Sequence, residues 1–158
     1  RIPGTQRLER PPLSTRTELV QAVERSARPG NSRLRAAIPL LVTKSASAPE
    51  SHLRLRLQEW HLPITALDHD VYDRDHVLLG ASEIACPEFK VAWEYEGDHH
   101  RVETRQWNRD IEKYAAYEAA GWRAIRVTAH LLYVRPQELR ARSEAALFDR
   151  GWKPRPVN

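Results

Sequence analysis

The sequence predicts an α/β domain with a mixed sheet flanked by helices, in the order α-β-β-β-α-β-α. Three observations predict it. Strand-like stretches over 64–72, 77–85 and 89–96 are joined only by short turn-rich segments, Asp73-Arg-Asp-His76 and Cys86-Pro-Glu88, as in an antiparallel meander. A helix-period stretch from Thr104 to about Ala120 is followed by a β-branched run, Trp122 to Thr128. Helix-start signals precede the first strand and follow the last one.

Taken in order, residues 1–13 are polar and proline-bearing and read as a linker. Ser14 to Ala27 reads as a short helix, capped by Ser14 or Thr15 and stopped by Pro29-Gly30. A second helical stretch follows Asn31, with Leu34, Ala37, Ile38 and Leu41 on one side and Pro39 inside it. Ser47-Ala-Pro-Glu50 has the pattern of a capping box, opening a helix through Leu53, Leu57 and Trp60 that stops near Pro63. In the helix over 104–120, Trp107, Ile111, Tyr114 and Ala115 recur at helical spacing, the pattern of a core face, and Gly121 takes the C′ role. Pro136 opens a last helix to about Phe148. The organisation expected is an N-terminal linker and helix over 1–29, one domain over 30–150 and a tail over 151–158.

The 158 residues suffice for one domain with a real core. No apolar run approaches the roughly 18 residues of a membrane span, so no membrane partner is expected. The chain starts at Arg1 and has no methionine, which reads as a fragment whose start lies upstream or was trimmed. A lone cysteine, Cys86, excludes an intramolecular disulfide framework and suits a reducing cytoplasm. The net charge of +4 is carried mostly by arginine. It is compatible with a nucleic-acid partner, though arginine-rich proteomes produce the same balance.

The stretch Glu94-Tyr-Glu-Gly-Asp-His-His-Arg-Val-Glu-Thr104 carries the strongest chemical signal. Alternation puts Glu94 and Glu96 on one face of a strand, with Trp93 and Tyr95 on the other. Adjacent carboxylates on a half-buried strand repel unless a cation lies between them, and hard cations such as Mg²⁺ take carboxylate oxygens. Ten residues separate Glu83 from Glu94, which sets it on the neighbouring strand of a hairpin. An acid on one strand, then an acid and a third group two residues later on the next, is the spacing of PD-(D/E)XK nucleases.

The run Gly80 to His100 resembles that superfamily's actinobacterial endonuclease-domain proteins, relatives of very-short-patch-repair endonucleases. That family has an Asp, an apolar-Ala-aromatic-Pro turn, a basic residue with Val-Ala, then Glu-Tyr-Asp-Gly and a His. Downstream come an Asp, a basic residue three later and a Gly-Trp-x-apolar-x-Arg strand. Here these are Asp110, Lys113 and Gly121-Trp122-Arg-Ala-Ile-Arg126, while Ser47 to Glu50 matches an upstream Ser-Pro-x-Glu helix start. The likeness covers roughly residues 30 to 148. Two aspartates of the family are glutamates here, Glu83 and Glu96, and Cys86 replaces an aromatic.

The resemblance implies a restriction-endonuclease-like core and a Mg²⁺- or Mn²⁺-dependent endonuclease acting on DNA, in repair or defence. It implies Glu83 and Glu94 as metal ligands with the Tyr95 carbonyl, and Glu96 completing the shell or holding a metal-bound water. His100 would orient the attacking water, with His99 its exposed neighbour. Glu50 would point at the metal besides capping its helix, and Lys113 would stand in for the superfamily's strand lysine, unless it forms a surface ion pair with Asp110. Arg101 and Arg126, the latter opposite in facing to Ile125 and Val127, would meet nucleic acid, with Asp110 orienting. Cutting both strands would need two copies or two encounters, so a homodimer is one expectation. Other classes are a nuclease fold that has lost catalysis and binds DNA or a protein, and a metal hydrolase using His99, His100 and Glu94. The triplet Asp98-His-His100 spells the DHH phosphoesterase signature without that family's other motifs.

Overall fold

The turn residues dictate the meander. In a computed structural model that describes residues 13–25, 28–45, 47–97 and 104–154, the last segment's 104–109 in backbone only, β1 (Ala66–Tyr72), β2 (Leu78–Cys86) and β3 (Val91–Glu96) pair antiparallel in sequence. Asp73 Oδ1 accepts the backbone N–H groups of Asp75 and Val77 at 2.9 and 2.8 Å, so the carboxylate closes the first hairpin. The second joint lies further along than expected. Pro87–Phe89 form a 3₁₀ turn and Lys90 takes a φ of +50°, so Phe89 belongs to the turn and the strand begins at Val91. α4 (Thr104–Ala119) then crosses over, and β4 (Arg123–Thr128) lies parallel to β3, completing a four-stranded mixed sheet in the order β1-β2-β3-β4. Gly121, at a φ of +82°, ends α4 where a side chain would be strained.

The helices follow their caps. Thr15 caps α1 (Arg16–Glu24) reciprocally with Glu18, the Thr15 N–H donating to Glu18 Oε2 at 2.6 Å. α2 (Asn31–Ala37) gives way at Pro39 to a 3₁₀ turn, because proline has no N–H to donate and crowds the preceding turn. Its apolar side stays in solvent, with Leu34 at 53% and Leu41 at 45% exposure. α3 (Ala48–Glu59) starts at Ser47, whose hydroxyl accepts the Glu50 N–H at 3.3 Å. α5 (Pro136–Phe148) is preceded by a π-helical turn over His130–Val134 that strand and helix periodicity do not foretell. No helix among the described residues is long and apolar enough to cross a membrane.

Two apolar cores lie on opposite faces of the sheet. The larger contains Leu53 and Leu57 of α3, Ile84, Cys86, Val91, Trp93, Ile125 and Val127 of the sheet, and Leu139 and Leu147 of α5. The smaller contains Val71, Ala85 and Ala92 with Tyr117, Ala120 and Trp122. Ile111, expected in the core, is 51% exposed; among the described side chains of α4 the fully buried one is Tyr117. Trp107, whose side chain was expected beside it, lies outside the side chains described.

One irregularity shapes the sheet. Leu67 packs against the larger core while Val71, four residues on, belongs to the smaller one. In a regular strand they would share a face. Asp68 between them has a φ of +49°, and the β1–β2 ladder passes from Leu67–Ile84 directly to His69–Ser82. β2 switches with it: Ile84 and Cys86 face the larger core, whereas a Cβ on Gly80 would stand 3.3 Å from the Tyr117 hydroxyl of α4. Glu83 sits at this pivot.

Candidate active site

Glu83 leaves the ladder because of where it lies. The described β2–β3 pairs end at Ile84–Trp93, and beyond them Glu83 Oε2 accepts the Tyr95 N–H at 2.7 Å. A carboxylate thus fills the position of a strand carbonyl and is drawn in between two strands. Burial pushes its pKa up to about 8. The Tyr95 N–H opposes that rise, Glu94 and Glu50 add to it, and Lys113 counters it. Glu50, at the start of α3, is therefore within electrostatic reach of Glu83 as well as part of its helix cap.

Glu94 follows from alternation. Its neighbours Trp93 and Tyr95 pack with the larger core, so Glu94 points to the α4 face, where it is only 3% exposed. Lys113 reaches in from α4 and donates to Glu94 Oε2 at 3.0 Å and to the Ala81 carbonyl at 3.1 Å. Of the two readings of Lys113, the inward one is what the geometry displays. Burial raises the pKa of Glu94, with Lys113 and Ser82 pulling against it. With the Ser82 hydroxyl giving its single proton to the Ile84 carbonyl at 3.1 Å, Glu94 Oε1 is buried with no hydrogen bond among the described residues.

Glu96, one pleat further along the same face, is in a different environment. Its Oε1 accepts both Arg126 Nε at 2.6 Å and the Tyr114 hydroxyl at 3.0 Å. The Arg126 guanidinium also lies over the Tyr114 ring, 4.8 Å from its centroid. The Glu96 hydrogen bond favours the charged form of Arg126 most, and Asp110 adds to this more weakly. No family model, curated protein or solved structure matches this chain. The site is accordingly read from its own chemistry.

Two groups emerge. Glu83, Glu94 and Lys113 lie where the described β2–β3 pairing stops, with Glu50 in electrostatic reach of Glu83; Glu96 and Arg126 meet at Tyr114 nearer the surface, with Asp110 in electrostatic reach of Arg126. His99, His100 and Arg101 lie outside the described residues. Three contributors escaped the sequence reading: Tyr114 as a hydrogen-bond donor, Tyr117 and Ser82. Tyr117 packs at the cation, its ring centroid 5.2 Å from Lys113 Nζ, and its buried hydroxyl has no partner among the described residues. The spacing of Lys113 and Tyr117 by four residues was the available signal, since such pairs share a helix face.

The donors fit a hard divalent cation. A buried Glu94 carboxylate oxygen with no hydrogen bond among the described residues, in electrostatic reach of the Glu83 carboxyl whose pKa burial raises, is the environment that a cation would relieve. Mg²⁺ usually keeps several waters and takes one or two carboxylates plus substrate oxygens. Glu83 and Glu94 would be that pair. Among the described residues no three His, Cys, Asp or Glu side chains stand close enough to form a cage of their own.

Proposed function

We propose that this chain is a Mg²⁺- or Mn²⁺-dependent DNA endonuclease of the PD-(D/E)XK kind, with a restriction-endonuclease-like core. The single observation carrying it is the pair of carboxylates, half-buried Glu83 and buried Glu94, on neighbouring strands just past their last described ladder pair, with the Lys113 ammonium on Glu94. The metal, when bound, would neutralise phosphate charge and make water acidic enough to attack at neutral pH. Glu83 and Glu94 hold it. Lys113, fixed by the Ala81 carbonyl, orients the Glu94 carboxylate and keeps a positive charge beside the reacting phosphate. Glu50 adds negative potential at Glu83 and so favours a cation there. DNA is the substrate suggested by the resemblance and by the net charge of +4. A homodimer would allow both strands to be cut.

The test is cleavage of supercoiled plasmid in EDTA, Mg²⁺ or Mn²⁺ by wild type, Glu94→Ala and Lys113→Met. Nicking should require the metal and fall at least about a hundredfold in Glu94→Ala, the scale of losing an electrostatic element of an active site. Lys113→Met should lose roughly 10–100-fold, as for residues that orient a ligand. A second reading, an inactive nuclease fold that binds DNA, is favoured by one observation: Lys113 already neutralises Glu94. Duplex binding without cleavage in any metal would support it.

A further inference from the structure

Glu94 and Glu96 share a strand face, and their spacing invites the same role for both. Their partners differ. Glu94 is enclosed, bonded through one oxygen to an ammonium, with the other oxygen unpaired. A single Glu96 oxygen serves Arg126 and Tyr114 together. Register sharpens the difference. Arg126 lies directly opposite Glu94 across the parallel β3–β4 ladder, yet its side chain leans along the strand to bond Glu96. Glu96 is 17% and Arg126 39% exposed at the side chain, so the pair sits at the mouth of the site.

The guanidinium is fixed in two ways. Nε is held by Glu96, and the plane rests over the Tyr114 ring. In a planar guanidinium the edge formed by the two terminal nitrogens lies away from the Nε–H, and that edge can take a phosphate through two parallel bonds. An arginine whose Nε and ring plane are held this way loses little further side-chain freedom on binding.

We propose that Glu96, together with Tyr114, is a positioning residue that sets Arg126 as a clamp for a DNA backbone phosphate at the mouth of the site, and is not a ligand of the metal. This rests on the nuclease reading. It also suits glutamate at this position, whose extra methylene lengthens its reach towards Arg126 on the neighbouring strand.

The experiment measures two bindings separately: Mn²⁺ alone by calorimetry, and a short DNA duplex in EDTA at several salt concentrations. The variants are Glu96→Ala, Glu96→Gln, Arg126→Ala and Glu94→Ala, each checked for folding by its thermal transition. Tyr114→Phe, which retains the ring, serves as a milder version should Glu96→Ala not fold. Glu96→Ala should bind Mn²⁺ within about threefold of wild type while Glu94→Ala does not bind it. Removing the Glu96 charge should strengthen DNA binding if only net charge mattered. The clamp predicts the opposite sign: roughly tenfold weaker binding, the worth of a charged hydrogen bond, with the salt slope reduced by about one. Glu96→Gln, which keeps the acceptor oxygen, should lie near wild type, and Glu96→Ala combined with Arg126→Ala should be no worse than Arg126→Ala alone. Loss of Mn²⁺ binding in Glu96→Gln, or tighter DNA binding in Glu96→Ala, would overturn the proposal while leaving the nuclease reading intact. Wild type that binds duplex but no Mn²⁺ would sink the nuclease reading alone, with the clamp still judged by the DNA-binding series. Wild type that binds neither would end both.

Discussion

The two faces of β3 begin from the same six residues and end in opposite states. On the face towards α3 and α5, Val91 and Trp93 are fully enclosed in an apolar core. The polar group of Trp93 is satisfied: Nε1 donates to Ser143 Oγ at 2.9 Å, and that hydroxyl donates onward to the Leu139 carbonyl at 2.8 Å. On the face towards α4, Ala92 alone packs apolar, and Glu94 lies beside Lys113, Tyr114 and Tyr117. Two buried polar atoms there, Glu94 Oε1 and the Tyr117 hydroxyl, have no hydrogen bond among the described residues. Unsatisfied buried groups are costly, and a chain that satisfies them on one face of a strand but not on the other marks the second face as the one with other work.

Substitutions can break this contrast, beginning with the largest effect. Trp93→Ala should destabilise the fold by about 3–5 kcal/mol in urea unfolding, since it empties the centre of the larger core. A cost under about 1 kcal/mol would mean that this face is not the structural one.

Glu83→Gln should act in the other direction. The folded pKa of Glu83, about 8, stands above its ordinary value of 4.5, so the native state holds a proton that the unfolded chain releases. That stabilisation is complete below pH 4.5 and is lost as pH rises through about 8. Wild type should therefore lose stability across this window, on the order of a few kcal/mol. Glu83→Gln should remove most of the slope and be the more stable protein at pH 8.5. Parallel curves for the two would refute the assignment.

The last two changes are small and opposed in sign. Ser143→Ala strands the Trp93 indole N–H and should cost about 1–3 kcal/mol. Tyr117→Phe removes a hydroxyl that has no partner and should be neutral or stabilising within about 1 kcal/mol. Equal costs for the two would erase the distinction between the faces.

How much of this was legible in the sequence depended on the kind of order involved. Period-2 alternation placed Trp93 and Glu94 on opposite faces, because strand geometry enforces it locally. The hairpin turns were legible in Asp73 and Pro87 for the same reason. Ile111 misled because the described inward stripe of α4 is Lys113, Tyr114 and Tyr117: apolar spacing found Tyr114 and passed over the lysine and the second tyrosine beside it. The face switch at Asp68 could not be read from alternation. Its signal, a residue type that tolerates left-handed backbone, is too weak to date a single kink. The bond between Glu96 and Arg126 joins residues 30 apart, and only the parallel β3–β4 register brings it about.

Cys86 closes β2 inside the larger core, fully enclosed, and burial raises its pKa. It is also the only thiol in the sequence. A thiol reagent can therefore react only after β2 and β3 part company at their paired end, so labelling becomes a stopwatch for opening of the sheet. Because Glu83 and Glu94 sit on those same two strands, a ligand that bridges them should slow the stopwatch by a factor set by its affinity, giving a readout of occupancy that involves no DNA at all.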